Sequence, residues 1–175
     1  WINLIEDGLP NMALAFEPKE KDVMSRPPEH PKISLLNSEM KTLIFIIGIA
    51  TNLILFGLFL WLLNQNFPIE EIRSIMFVGL AIDSFFVIFS CRNLRKNIWQ
   101  FNPFSNRYIL ATVLIGFLGL AAALYLPVFQ GLLKTVPLGL FAWLILVGFG
   151  FLNLSLVEIT KWWYIRKNGL SGILK

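Results

Sequence analysis

Charge is scarce in this 175-residue chain: 15% of its residues are Asp, Glu, Lys or Arg, against the roughly 25% usual for soluble domains. Cysteine and histidine are scarcer still, with one of each. A lone Cys91 excludes an intrachain disulfide and reads as a small buried hydrophobe near a helix end. His30 lies in a proline-rich stretch, so no Cys or His pair exists to hold zinc or copper. No basic stretch precedes the first apolar segment, so no signal peptide is expected. The chain opens on Trp1 rather than methionine, and we read it as a piece of a longer protein.

Apolar residues fill the space that charge leaves. They make up 56% of the chain, with a mean hydropathy of +0.67. Four runs, 43–63, 72–91, 109–129 and 138–159, are each 20 to 22 residues long. At ~1.5 Å of rise per residue each covers the ~30 Å of a bilayer's hydrocarbon core. Inside that core every backbone amide needs an internal partner, which leaves helices for runs of this length. Residues 1–16 are too short for a full crossing and suit the second half of one. The expected fold is therefore an all-α membrane protein, one half-helix plus four transmembrane helices in an antiparallel bundle.

Basic residues orient this bundle. Lys19, Lys21, Arg26, Lys32 and Lys41 precede the first full span, Arg92, Arg95, Lys96 and Arg107 fill the middle loop, and Lys161, Arg166, Lys167 and Lys175 close the chain. Only Arg73 and Lys134 fall in the two alternate loops. The positive-inside rule places residues 17–42, 92–108 and 160–175 in the cytoplasm, with the carboxy terminus there too. The formal charge of +4 thus reflects membrane flanks, and no nucleic-acid partner is expected. Pro18, Pro27, Pro28 and Pro31 make the first cytoplasmic segment an extended loop. The outer connections, 64–71 and 130–137, are short, so consecutive helices are antiparallel neighbours. Trp61, Trp99, Trp143, Trp162 and Trp163 lie near span ends and read as interfacial anchors.

Against this background a few polar residues stand out. Asn3, Glu6 and Asp7 are spaced i, i+3 and i+4, which puts them on one helical face. A charged side chain at the bilayer centre costs roughly 2.5 to 3.5 kcal/mol on insertion scales, so unpaired acids there need compensation. Gly8 and Pro10 follow at once and weaken the hydrogen-bond ladder, as in the broken helices that build ion sites. Asp83 sits midway along the second run, ten residues from Arg73, about 15 Å along a helix and too far to pair with it. Together Asn3, Glu6, Asp7 and Asp83 offer up to seven hard oxygen ligands, and these four are the candidate cation site. Ca²⁺, which takes six to eight oxygens, fits best, with Na⁺, K⁺, Mg²⁺, Mn²⁺ and H⁺ open. The remaining polar residues have plainer readings. Glu158 and Lys161 form a local i, i+3 ion pair, Asn52 and Asn153 make interhelical hydrogen bonds, and Arg92, Arg95 and Lys96 meet lipid headgroups or set topology.

The string from Trp1 to Pro18, with Asp22-Val23-Met24-Ser25-Arg26-Pro27-Pro28 after it, resembles the sixth transmembrane helix and following loop of type II P-type cation-transporting ATPases. In that family the helix reads Asn-x-x-Thr-Asp-Gly-x-Pro-Ala-x-Ala-Leu, and an acidic segment and Arg-Pro-Pro follow. The resemblance covers the whole chain and implies that residues 43–159 are helices seven to ten. It implies that Asn3 and Asp7 match ion ligands of the calcium-pump branch, and that Asp83 falls where the eighth helix carries an acidic or amide ligand. Glu6 departs from the pattern, replacing threonine or a small or apolar residue with a carboxylate. Residues 17–40 match the loop that contacts the family's phosphorylation domain. The family's Asp-Lys-Thr-Gly phosphorylation sequence does not occur here, so no catalytic residue is assigned. ATP and Mg²⁺ are expected to act only in the complete protein. The implied partners are the bilayer, the upstream helices and the phosphorylation domain, and the implied location is the plasma membrane of a prokaryote. The rival reading is a non-enzymatic membrane subunit or a small proton-coupled secondary transporter using the same acids.

Overall fold

The computed structural model describes residues 1–3, 8–19, 38–94 and 96–173, and among them every regular element is helical. A short helix α1 (Leu9–Ala13) leads into one 3₁₀ turn, Leu14–Phe16. Helix α2 (Ser38–Phe45), a π-helical turn (Ile46–Ala50) and α3 (Thr51–Asn64) run on as one rod. After it come α4 (Ile69–Cys91), α5 (Arg107–Tyr125), α6 (Pro127–Leu133) and α7 (Leu140–Ile173). Four stretches are long and apolar enough to cross a membrane: Met40–Asn64, Ile69–Cys91, Arg107–Tyr125 and Leu140–Lys167. The fold is thus an all-α membrane bundle.

Helix α4 is its centre. Its most apolar window is 56% buried, against 18% for Met40–Asn64 and 33% for Leu140–Lys167. Its buried face, including Ile75, Val78, Ile82 and Phe85, meets Leu62 of α3, Leu120 and Leu124 of α5 and Leu146 of α7. Outward-facing Leu, Ile and Phe side chains on the other helices remain exposed, as suits lipid contact. Lipid tails are as apolar as leucine, so helices in a bilayer associate through close packing rather than hydrophobic burial. Gly150 of α7 provides that closeness: a Cβ there would lie 2.8 Å from Ile82 Cγ2 and 2.9 Å from Phe86 Cδ2.

The opening segment lies antiparallel to α5. Trp1 stacks edge-on against Phe129 near one end, while Phe16 packs on Tyr108 near the other. Ala13 joins Ile88 of α4 and Ile109 of α5 in a small cluster. Thr42 and Tyr164 hydroxyls, 2.6 Å apart, tie α2 to α7 at that same end.

Local chemistry sets the helix ends. Asn106 caps α5, its Oδ1 accepting from Tyr108 N at 2.9 Å and Ile109 N at 3.2 Å. The third span, placed at 109–129 from the sequence, stops as a continuous helix at Tyr125. Pro127 forces its predecessor out of the helical region, and Leu126 is extended at ψ 124°. Pro127 then occupies the first turn of α6, where its missing N–H costs nothing. Half of the connection expected as an outer loop, residues 130–133 of 130–137, is in this way helical. Asn66, at φ 57°, turns the chain between α3 and α4 with a side chain that tolerates the left-handed region.

Candidate cation site and its polar surroundings

Of the four residues expected to bind a cation, Asp83 is the best placed to describe. It is half-buried on α4, one residue from Ile82 and so beside the Gly150 contact. Asn153, three residues after Gly150, is fully buried and donates Nδ2 to Asp83 Oδ1 at 2.8 Å. Asn153 is therefore the interhelical hydrogen-bonding amide that was expected, and its partner is the intramembrane acid. Asn52 differs: its Nδ2 donates to Gly48 O of its own rod at 3.0 Å, so it satisfies a carbonyl of the π-helical turn instead of bridging helices.

Asn3 is exposed, while Glu6 and Asp7 lie outside the described residues. Among the described residues no three His, Cys, Asp or Glu side chains converge. Around the expected break the described residues are helical, and Gly8, at φ -62° and ψ -51°, leads straight into α1. Ile2, Asn3 and Gly8 are π-helical, with i→i+5 bonding that widens the turn. A Cβ on Gly8 would stand 2.9 Å from the Asn3 carbonyl oxygen, so only glycine lets the backbone close there.

Below this region lies a cluster that spacing alone did not reveal. Arg92, at the end of α4, is 8% exposed, and its guanidinium is taken up by partners within the protein. Its Nε donates to Glu17 Oε2 at 2.9 Å and its Nη2 to Glu17 Oε1 at 2.6 Å and Ser105 Oγ at 2.7 Å. Nη1 reaches the carbonyls of Asn102 and Pro103. Asn106 adds a bond from Nδ2 to Glu17 Oε2 at 2.8 Å. Burial pushes the Glu17 carboxyl up, but the hydrogen bonds from Arg92 and Asn106 and the charge of Arg92 outweigh it, and the carboxyl ends below its ordinary 4.5. A charge at a span end has headgroups as its default partner, and nothing in the sequence marks Glu17, 75 positions away, as the alternative. Arg95 lies outside the described residues.

Glu158 and Lys161 form the expected i, i+3 pair, Nζ to Oε1 at 2.8 Å, and both are buried within the protein. Lys161 Nζ also donates to Ser90 O at 3.0 Å. Glu158 accepts from Ser90 Oγ, from Asn97 Nδ2 at 2.8 Å and from Ile98 N at 2.9 Å. Lys161 thus gains three donated contacts and Glu158 four accepted ones, which is how a buried charged pair is tolerated. Cys91 packs with the neighbouring cluster of Leu43, Val87 and Val157, consistent with a small buried hydrophobe.

Four bilayer-length helices, packed around a central one whose Asp83 accepts from Asn153, define an integral multi-pass membrane protein. A family model described as "Cation transporting ATPase, C-terminus" matches residues 1–163, and the chain belongs to that family. A calcium-transporting ATPase of Bacillus subtilis (strain 168) is 31% identical over 153 residues, which is 85% of this chain and 17% of that protein. The calcium-transporting ATPase type 2C member 2 of Rattus norvegicus is 31% identical over 166 residues, 92% of this chain and 17% of that protein. A probable cation-transporting ATPase F of Mycobacterium bovis is 29% identical over 143 residues, 82% and 16% respectively. The chain spans about a sixth of the length of these relatives.

Proposed function

We propose that this chain is the ion-binding, carboxy-terminal membrane part of an ATP-driven cation pump, with Ca²⁺ as the transported ion. Asn3, Glu6, Asp7 and Asp83 supply oxygen ligands, and the Gly8 break lets the site change its exposure during alternating access. Residues 1–16 are the second half of an ion-binding helix, and 17–42, which include the start of α2, lie on the cytoplasmic side facing the phosphorylation domain. The end of the bundle rich in Lys and Arg, with the carboxy terminus, faces the cytoplasm of a prokaryotic cell. ATP and Mg²⁺ are handled by the upstream part of the complete protein.

One observation carries this reading: Asp83 is an acid within a bilayer-length helix, and its carboxylate accepts from a buried amide of a neighbouring helix. An acid at that depth is costly unless its charge is compensated, and an exchangeable cation supplies that compensation. The calcium named for relatives in Bacillus subtilis and Rattus norvegicus supports the choice of ion.

The test uses the complete pump in sealed vesicles, with ATP-driven uptake and ion-stimulated ATP hydrolysis followed across Ca²⁺, Mn²⁺, Mg²⁺, Na⁺ and K⁺. Ca²⁺ should stimulate both, and Asp83→Asn and Asp7→Asn should each abolish uptake. Unchanged uptake in both variants, or a pump indifferent to all five ions, would remove the assignment.

A further inference from the structure

We propose that Asn153 is itself a cation ligand, its Oδ1 joining the Asp83 carboxylate in an oxygen site between α4 and α7 that takes a hard divalent ion. Asn153 is 0% exposed, and its Oδ1 has no hydrogen-bond partner among the described residues. The amide nitrogen is committed to Asp83 at 2.8 Å. Because Oδ1 and Nδ2 share one carbon, the unpaired oxygen sits beside the carboxylate. The reverse amide orientation would set oxygen against oxygen.

A buried acceptor without a donor costs about 1 to 3 kcal/mol. Within a bilayer-spanning bundle bulk water is not at hand to relieve it. The adjoining side chains of Ile82 and Phe86 are apolar and can donate nothing. The charged group nearest along α7 is Glu158, five residues on and held by Lys161, Ser90 and Asn97, so it belongs to a separate cluster. A cation satisfies both oxygens at once, the carboxylate by charge and the amide by its carbonyl dipole. Such a pair supplies two of the six to eight oxygens that Ca²⁺ takes, and hard oxygen donors disfavour thiophilic metals. Gly150 makes the arrangement possible by letting α7 approach α4 one turn before Asn153.

This assignment rests on reading the chain as part of a cation transporter, and the test separates the two. The complete pump is placed in lipid nanodiscs, and ⁴⁵Ca²⁺ binding and the melting temperature with and without CaCl₂ are measured for the native protein, Asn153→Leu and Asn153→Asp. CaCl₂ should raise the native melting temperature. Asn153→Leu should weaken Ca²⁺ binding by roughly tenfold or more, with most of the CaCl₂ stabilisation lost. Asn153→Asp keeps an oxygen but places two carboxylates together, so its binding should survive and its CaCl₂ stabilisation should exceed the native one. If Asn153→Leu does not fold, Asn153→Asp alone decides the matter. Native-like binding in Asn153→Leu, or no gain of CaCl₂ stabilisation in Asn153→Asp, overturns the ligand role. A native pump that neither binds nor is stabilised by Ca²⁺ overturns the calcium reading first, and this site with it.

Discussion

Arg92 and Glu17 meet side-on across 75 positions of sequence, Nε to Oε2 at 2.9 Å and Nη2 to Oε1 at 2.6 Å. The fork joins the exit of the opening helix to the end of α4, and through Asn106 to the cap of α5. The Arg92 side chain is buried and that of Glu17 partly exposed, so removing Arg92 leaves a half-buried carboxylate uncompensated. Arg92→Ala should therefore destabilise the protein by about 1 to 3 kcal/mol. Arg92→Lys should recover only part of that, because an ammonium cannot form two parallel bonds to one carboxylate. Melting temperatures of detergent-solubilised protein would check the ranking native, Lys, Ala.

The same pair sets an acid-side dependence. The Glu17 carboxyl sits below its ordinary 4.5 in the folded protein. A depressed carboxyl contributes stability above its unfolded value, and that contribution disappears as pH falls through the folded value. The native protein should lose melting temperature on acidification below about pH 4.5, and Glu17→Gln, lower at neutral pH, should show a shallower fall. Parallel slopes for the two proteins would contradict the link.

Glu158 and Lys161 lend themselves to a double-mutant cycle. Lys161→Met leaves a buried carboxylate without its cation and should cost about 3 to 5 kcal/mol. Adding Glu158→Gln should restore much of that loss, since a neutral amide can still bond to Ser90 and the Asn97 region. Additive losses in the cycle, read by thermal unfolding, would mean that the two charges are not coupled.

How far the sequence reaches depends on the range of the force at work. The spans were legible because ~30 Å of hydrocarbon demands ~20 apolar residues whatever their neighbours. Pro127 also carried a local signal, yet the apolar run continues through it, and length masked the break. The pairing of Arg92 with Glu17 was not legible because the two are 75 positions apart in sequence. Asp83 stood out as an expensive acid, but its meeting with Asn153 depends on the register of α4 and α7, which Gly150 fixes through packing that no local pattern encodes. For Glu6 and Asp7 the sequence remains the whole basis, as they lie outside the described residues.

That register can be tested directly. A valine at Gly150 would drive side-chain atoms into Ile82 Cγ2 and the Phe86 ring, the first of them already at 2.8 Å from the added Cβ. Overpacking of this kind costs typically 1 to 3 kcal/mol. Gly150→Val should lower the melting temperature and, by separating α4 from α7, weaken Ca²⁺ binding along with it. Gly148→Val on the same helix, where a Cβ meets nothing within 4 Å, should leave both near native and serves as the control.

The opening turn offers the sharpest separation of site from scaffold. At Gly8 the obstacle is the backbone carbonyl of Asn3, 2.9 Å from any added Cβ, and a backbone atom cannot rotate aside as a side-chain tip can. Gly8→Ala must then open or shift the π-helical turn that carries Asn3. Most of the bundle's buried contacts lie among α3, α4, α5 and α7, away from that turn, so the melting temperature should change little. The cation site, if built on Asn3, Glu6 and Asp7, should suffer more. The expected outcome is a rise of roughly tenfold in the Ca²⁺ concentration for half-maximal ATP hydrolysis by the complete pump, corresponding to about 1.4 kcal/mol of lost binding. An unchanged Ca²⁺ dependence in Gly8→Ala would detach the turn from the ion, and leave Asp83 and Asn153 as the ligands to pursue.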